Sequence, residues 1–243
     1  MKDSVFKVLT NKKIAKNTYE MTLSGDVSHI TAPGQFVNIK LNGFYLRRPI
    51  SVCNVDSDVL TLIYKVVGSG TDMMAKMSGG EELLTLTGLG NGYDTKKSGS
   101  APLLIGGGAG VPPMYLLCRE LVKEGKMPTV ILGFGSKDEV FYEEEFKALG
   151  AGVFVTTVDG SYGVRGFVTD VMKEVEYTYF YTCGPMPMFR AIHATATTPG
   201  EFSFEERMGC GFGACMGCSC KTKYGNKRIC RDGPVLEKEE IIW

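Results

Sequence analysis

The first clear rhythm along the chain is "YEMTLSG", where Tyr19, Met21 and Leu23 alternate with their neighbours. A period of two places one face of a strand in a core and the other toward water. "GQFVNIKL" follows a Pro33-Gly34 turn, and "VLTLIYKVVG" is a third run rich in β-branched and aromatic residues. Short strands separated by Gly, Pro and Asn turns predict an antiparallel β-barrel over residues 1–97. The polar, Gly/Ser-containing stretch "DTKKSGSA", residues 94–101, marks its end.

The rhythm then changes to strand–helix alternation. "APLLI" predicts an apolar strand, "GGGAGVPP" a glycine-rich turn, and "MYLLCRELVKEG" a helix stopped by Gly125. "TVILGF" and "VFVTTV" predict further buried strands, with "EVFYEEEFKALG" as the helix between them; "TYFYTC" is another strand, running into "GPMP". That alternation predicts an α/β domain with a parallel sheet over residues 98–198. Its glycine-rich turn, with the pattern Gly108-x-Gly110-x-x-Pro113, suits a pyrophosphate held by backbone N–H groups and a helix end. A tight packing turn remains the alternative.

In the last segment, residues 199–243, periodicity gives way to cysteines. Of the eight in the chain, Cys210, Cys215, Cys218, Cys220 and Cys230 fall between residues 210 and 230, and Cys53, Cys118 and Cys183 stand alone as small buried hydrophobes. Structural zinc usually shows two Cys-x2-Cys knuckles a dozen or more residues apart. The spacing Cys210-x4-Cys215-x2-Cys218 with a distant Cys230 is instead that of a plant-type 2Fe–2S centre. Gly209, Gly211, Gly213 and Gly217 let the backbone curl around such a cluster. Cys220 falls outside the pattern and reads as a buried neighbour.

Charge changes this picture little. The 243 residues carry 27 basic and 27 acidic side chains and no net charge, so no footprint for nucleic acid or an anionic membrane appears. No apolar run approaches the roughly 18 residues of a membrane span. "MKDSVFKVLTNKK" lacks the apolar core of a secretory signal, which leads us to expect a cytoplasmic protein with reduced thiols. The two histidines, His29 and His193, lie in no motif and are expected at the surface.

One barrel stretch is hard to justify by packing. "YLRRPISV" sets Arg48, Pro49, Ile50 and Ser51 in an otherwise apolar strand, where Arg48 suits a phosphate and Ser51 a ring nitrogen; an edge strand with a solvated arginine is the bland alternative. "IYKVVGSGT" adds a second loop, through Gly68, Gly70 and Thr71, able to approach a phosphate.

Together and in order, "RRPISV", "IYKVVGSGT", "TGLGNGY", "GGGAGVPPMY", "CGPMPM" and "RMGCGFGACMGCSC…CRDGPV" resemble the ferredoxin-NADP reductase superfamily. Within it they are similar to the electron-transfer subunits of bacterial NAD-dependent dihydroorotate dehydrogenases, over essentially the whole chain. The resemblance implies an FAD-binding barrel, an NAD-binding α/β domain and a 2Fe–2S module. It implies that Arg48, Pro49, Ile50 and Ser51 line the flavin, with Ile63, Tyr64 and Lys65 following on the next strand. Gly70 and Thr71 would contact its pyrophosphate. Lys65 departs from the arginine usual in the family, which keeps the charge and loses the bidentate fork. Cys183 and Gly184, with Pro185, match the family segment beside the nicotinamide.

The implied route runs from NADH to FAD to the cluster and on to a separate FMN-containing catalytic subunit that oxidises dihydroorotate in pyrimidine synthesis, in a heterotetramer with two chains of each kind. Phe212, Met216 and the tail from Pro234 are expected to meet that partner. Lys137, Asp138 and Glu139, with no arginine among them, lead us to expect NADH over NADPH. A reductase subunit serving sulfite, polysulfide or ferredoxin remains open, as does a zinc-binding structural module.

Overall fold

Every second residue of the early strands turns inward and closes on its counterparts. The computed structural model describes residues 1–243. Strands β1 (Lys2–Ala15), β2 (Thr18–Ser24), β3 (Phe36–Lys40), β4 (Arg48–Asp56), β5 (Val59–Lys65) and β6 (Glu82–Leu89) form a closed antiparallel barrel in the order β1-β2-β5-β4-β3-β6. Phe6, Val8, Met21, Leu23, Val37, Ile39, Leu60 and Leu62 fill it. One short helix, α1 (Ser69–Ala75), follows β5.

The second half gives the expected sheet, extended at one edge. Strands β7 (Pro102–Gly107), β8 (Thr129–Phe134), β9 (Gly152–Thr157), β10 (Val164–Arg165), β11 (Tyr179–Cys183) and β12 (Gly200–Ser203) run parallel in the order β10-β9-β8-β7-β11-β12. The helices are α2 (Val111–Lys123), α3 (Glu143–Ala148), α4 (Val168–Met172) and α5 (Met186–Thr195). Helix α2 begins before the expected Met114, taking Pro112 and Pro113 into its first turn, where a missing N–H costs nothing. Helix α3 is shorter than expected. Tyr142 adopts a left-handed conformation, φ 67, and its hydroxyl donates to Glu20 of the barrel at 2.8 Å, so helix begins only after it.

The cysteine segment is tied into both halves. A hairpin of β13 (Ser219–Thr222) and β14 (Gly225–Arg228) leads through α6 (Ile229–Asp232) to β15 (Val235–Glu237), which pairs antiparallel with β12 at the sheet edge. Asn91 pins β15 to the barrel: its Nδ2 donates to the Val235 carbonyl at 2.8 Å, and its Oδ1 accepts the Val235 N–H at 2.9 Å. His29 is exposed, whereas His193 is half-buried with its ring 5.3 Å from that of Trp243. No helix is long and apolar enough to cross a membrane.

Barrel and sheet share their cores across the seam. Leu116 of α2 packs among the barrel residues, and Cys53 and Ile63 of the barrel pack among those of the sheet. Arg119 of α2 donates to Asn54, and Lys16 pairs with Asp138 at 2.9 Å.

Where the connecting segment, β12 and β15 meet, Glu201 is 3% exposed. It accepts the Asp94 N–H at 3.1 Å, while Lys97, 3.8 Å away, bonds more closely to Glu237. Burial, opposed by the Asp94 N–H and Lys97, raises its pKa from 4.5 to about 7. The folded state therefore binds more protons than the unfolded one between those values, and stability falls as pH rises through that window. Glu201→Gln keeps an acceptor and removes the charge. We expect it to be more stable than the parent at about pH 8, by at most about 3 kcal/mol, with the difference vanishing near about pH 4. Denaturant melts of both proteins across that range check this.

Candidate functional site

Two cavities open along the seam and share part of their walls. The first, about 350 Å³, lies on the outer face of the barrel. Arg48, Pro49, Ile50 and Ser51 of β4 and Ile63, Tyr64 and Lys65 of β5 line it, with Thr71 of α1. All four β4 residues are half-buried: Pro49 and Ser51, paired with Asn38 and Phe36, turn away from the barrel interior, whereas Ile50 also packs against the barrel core. Arg48 is pre-set: its guanidinium sits 4.6 Å over the Phe44 ring, and Nη1 donates to the Leu46 carbonyl. Gly70 lies against it so closely that a Cβ there would overlap the guanidinium. The Thr71 hydroxyl accepts the N–H groups of Val67 at 3.0 Å and Gly68 at 3.3 Å, which fixes the intervening loop. The cradle fits an anionic, flat ligand such as FAD: a cationic fork, a fixed glycine loop and an apolar wall.

The second cavity, about 610 Å³, lies at the carboxyl ends of β7, β8 and β11, where ligands of parallel sheets bind. Gly107, Gly108, Ala109 and Gly110 form one wall and Gly184 with Pro185 another. Gly110 permits the closest approach: a Cβ there would overlap the backbone of Cys183 and Gly184. Pro113 and Cys183 are buried behind these walls, and burial pushes the Cys183 thiol well up. Of the loop residues, Glu139 lines the cavity. Asp138 turns instead to Lys16 and Ser136, and Lys137 lies 5.8 Å over the Tyr162 ring. Glu139 also pairs with Lys65 at 3.5 Å, linking the two cavities by charge.

Ala109 and Glu205 line both cavities, so ligands in the two would meet there. Glu205, Ser203, Phe204, Glu206, Met208 and Pro234 complete the first cavity from the C-terminal segment. Met208 and Pro234 belong to the cysteine motif, whereas Ser203, Phe204, Glu205 and Glu206 lie in none, and only the tertiary arrangement brings these four to the barrel.

The cysteines form two pairs. Cys210 and Cys215 adjoin in the glycine loop, where the Ala214 and Cys215 N–H groups donate to the Cys210 Sγ at 3.2 and 3.5 Å. Burial alone would raise the Cys210 thiol; the N–H groups of Cys215, Phe212 and Ala214 and the Cys215 thiol outweigh it and bring it to about 6. Cys218 and Cys230 form the second pair, buried side by side, and the Cys230 N–H donates to the Cys218 Sγ at 3.4 Å. Burial and the neighbouring Cys218 push Cys230 up to about 12. Two thiol pairs with N–H groups aimed at sulfur fit a binuclear cluster, one pair to each iron. Cys220 lies half-buried on β13, raised mainly by burial.

The chain matches known families and full-length relatives. Residues 205–242 match the iron-sulfur cluster binding domain of dihydroorotate dehydrogenase B, and residues 104–194 match the oxidoreductase NAD-binding domain. The chain is 44% identical to the dihydroorotate dehydrogenase B (NAD(+)) electron transfer subunit of Bacillus pumilus, covering 99% of this chain and 98% of that one. Its counterpart in Fusobacterium nucleatum is 45% identical, with 95% of each covered. Among solved structures, an NADH-dependent reduced ferredoxin-NADP oxidoreductase superposes with a TM-score of 0.88 at 29% identity, covering 98% of this chain and 90% of the other.

Gly110→Ala tests the second cavity. The added methyl must displace the backbone after β11, at a cost of about 1–3 kcal/mol in stability. We expect KM for NADH to rise at least about tenfold while the bound flavin is kept. Steady-state assays with an artificial acceptor, beside flavin content, measure both.

Proposed function

The chain belongs to the family of dihydroorotate dehydrogenase B electron transfer subunits, and from that premise we propose the residues and the partner through which it works. It is an oxidoreductase subunit that carries FAD, a 2Fe–2S cluster and an NAD site. A flavin accepts a hydride as an electron pair and releases electrons singly, which a cluster requires.

The residues assigned to each group follow from the walls described above. Arg48, Pro49, Ile50 and Ser51 with Ile63, Tyr64, Lys65, Gly70 and Thr71 hold and orient the flavin. Gly108, Gly110 and Gly184 let the dinucleotide lie close to the backbone, and Cys183 and Pro113 support them from behind. Glu139 sets a negative charge in that cavity, which favours NADH over NADPH. Cys210 and Cys215 ligate one iron and Cys218 and Cys230 the other, with Cys220 outside the set.

The observation that carries the reading is the shared wall at Ala109 and Glu205, which makes the two cavities one transfer site. The family name implies a catalytic partner subunit. We take that partner to be FMN-containing, in a cytoplasmic heterotetramer with two chains of each kind. Phe212 and Met216 on the cluster loop are exposed and suit its docking, where apolar side chains exclude water.

Reconstitution is the test. The chain alone should reduce an artificial acceptor with NADH and should not oxidise dihydroorotate. Adding the FMN subunit should create NAD-linked dihydroorotate oxidation. Reduction of NAD with dihydroorotate by the isolated chain would overturn this.

The ligand assignment has its own check. Serine at Cys210, Cys215, Cys218 or Cys230 should remove or badly destabilise the cluster and abolish the coupled reaction while sparing NADH oxidation by the artificial acceptor. Serine at Cys220 should leave iron and sulfide content unchanged. Cluster loss from the Cys220 variant, with retention in the Cys230 variant, would contradict the assignment.

A further inference from the structure

Between the flavin cavity and the cluster loop stands one side chain that packing does not account for. Asn38, in the middle of β3, is 1% exposed, yet its Oδ1 has no hydrogen-bond partner. A stranded buried amide oxygen is costly, and an apolar residue of similar volume would avoid that cost. Stability therefore does not explain an asparagine here.

Its surroundings suggest what does. Val37 and Ile39 belong to the barrel core, whereas Phe36 packs in the cluster of residues that holds Cys218 and Cys230. By strand alternation Asn38 faces the same way as Phe36, outward from the barrel. Asn38 is paired across the ladder with Pro49, and both Pro49 and Phe36 line the flavin cavity. On the other side its Nδ2 donates to the Cys210 carbonyl at 3.4 Å. Gly211, with φ +81, comes so close that a Cβ there would overlap the Asn38 amide. The strand is steadied from outside: Arg47 donates to the Asn38 carbonyl at 3.3 Å and grips Asp3 at 2.7 and 3.0 Å.

We propose that Asn38 is the positioning residue for electron transfer between flavin and cluster, tying the Cys210 peptide to the barrel wall that lines the flavin cavity. The inference rests on Cys210 being a cluster ligand. Asn38 exchanges neither electrons nor protons in this role. It fixes the separation between the two sites, and its N–H polarises the peptide that carries the first thiolate, as outer-shell partners of metal ligands do.

The test uses the holoprotein with Asn38→Leu, which keeps volume and removes both the donor and the stranded oxygen, beside Asn38→Asp, which keeps shape and removes the donor. For the leucine variant we expect flavin content and NADH oxidation by an artificial acceptor to match the parent, with thermal stability equal or higher. The electron paramagnetic resonance signal and midpoint potential of the reduced cluster should shift. Anaerobic reduction of the cluster by NADH should slow by about tenfold. The aspartate variant should show the same changes. Unchanged signal, potential and reduction rate in the leucine variant would overturn the proposal. If that variant loses its cluster, amide exchange of residues 209–214 in cluster-free protein decides: faster exchange than in the cluster-free parent supports the tie, and equal exchange refutes it. A native signal in Cys210→Ser would instead sink the ligand reading, which separates the two failures.

Discussion

A hydride moves two electrons together and an iron–sulfur cluster takes one at a time, so one flavin has to lie within reach of both. Every larger feature of the structure serves that constraint. The barrel offers its outer face, not its interior, because its interior is filled by Phe6, Met21, Leu23 and their neighbours. The sheet brings the glycine-lined ends of β7 and β11 to that face, and the C-terminal segment closes it from a third side. Ala109 and Glu205 then stand where the two cavities join.

Such a junction works only if the parts cannot drift. Exchange of side chains across the seam supplies the main restraint: Leu116 is buried among barrel residues, Cys53 and Ile63 among those of the sheet. Burying such groups contributes about 1.5–3 kcal/mol each for the larger aliphatic ones. Polar contacts set the register on top of it, including Tyr142 to Glu20 and Asn91 to Val235. The cluster segment is likewise no appendage. Its β15 completes the edge of the sheet beside β12, so the NAD domain and the cluster share one hydrogen-bonded framework.

Local pattern was enough for the elements whose cause is local. The alternation through Tyr19, Met21 and Leu23 gave β2, and the apolar runs gave β7, β8 and β11. What the sequence left hidden has long-range causes. Helix α3 is cut short because Tyr142 turns to a barrel carboxylate far away in the chain. Ser203, Phe204 and Glu205 reach the first cavity only because β12 and β15 pair at the sheet edge. Asn38 reads as one polar residue in a strand until the fold sets Cys210 beside it.

This one chain carries electrons from NADH through its flavin to its own cluster. Anaerobic titration of the purified chain with NADH, followed by visible absorption and electron paramagnetic resonance together, measures it directly. The flavin and cluster bands should bleach in the same titration, and the resonance of a reduced 2Fe–2S centre should grow with them. A bleached flavin beside a cluster that stays oxidised, although dithionite reduces it, would rule out this route.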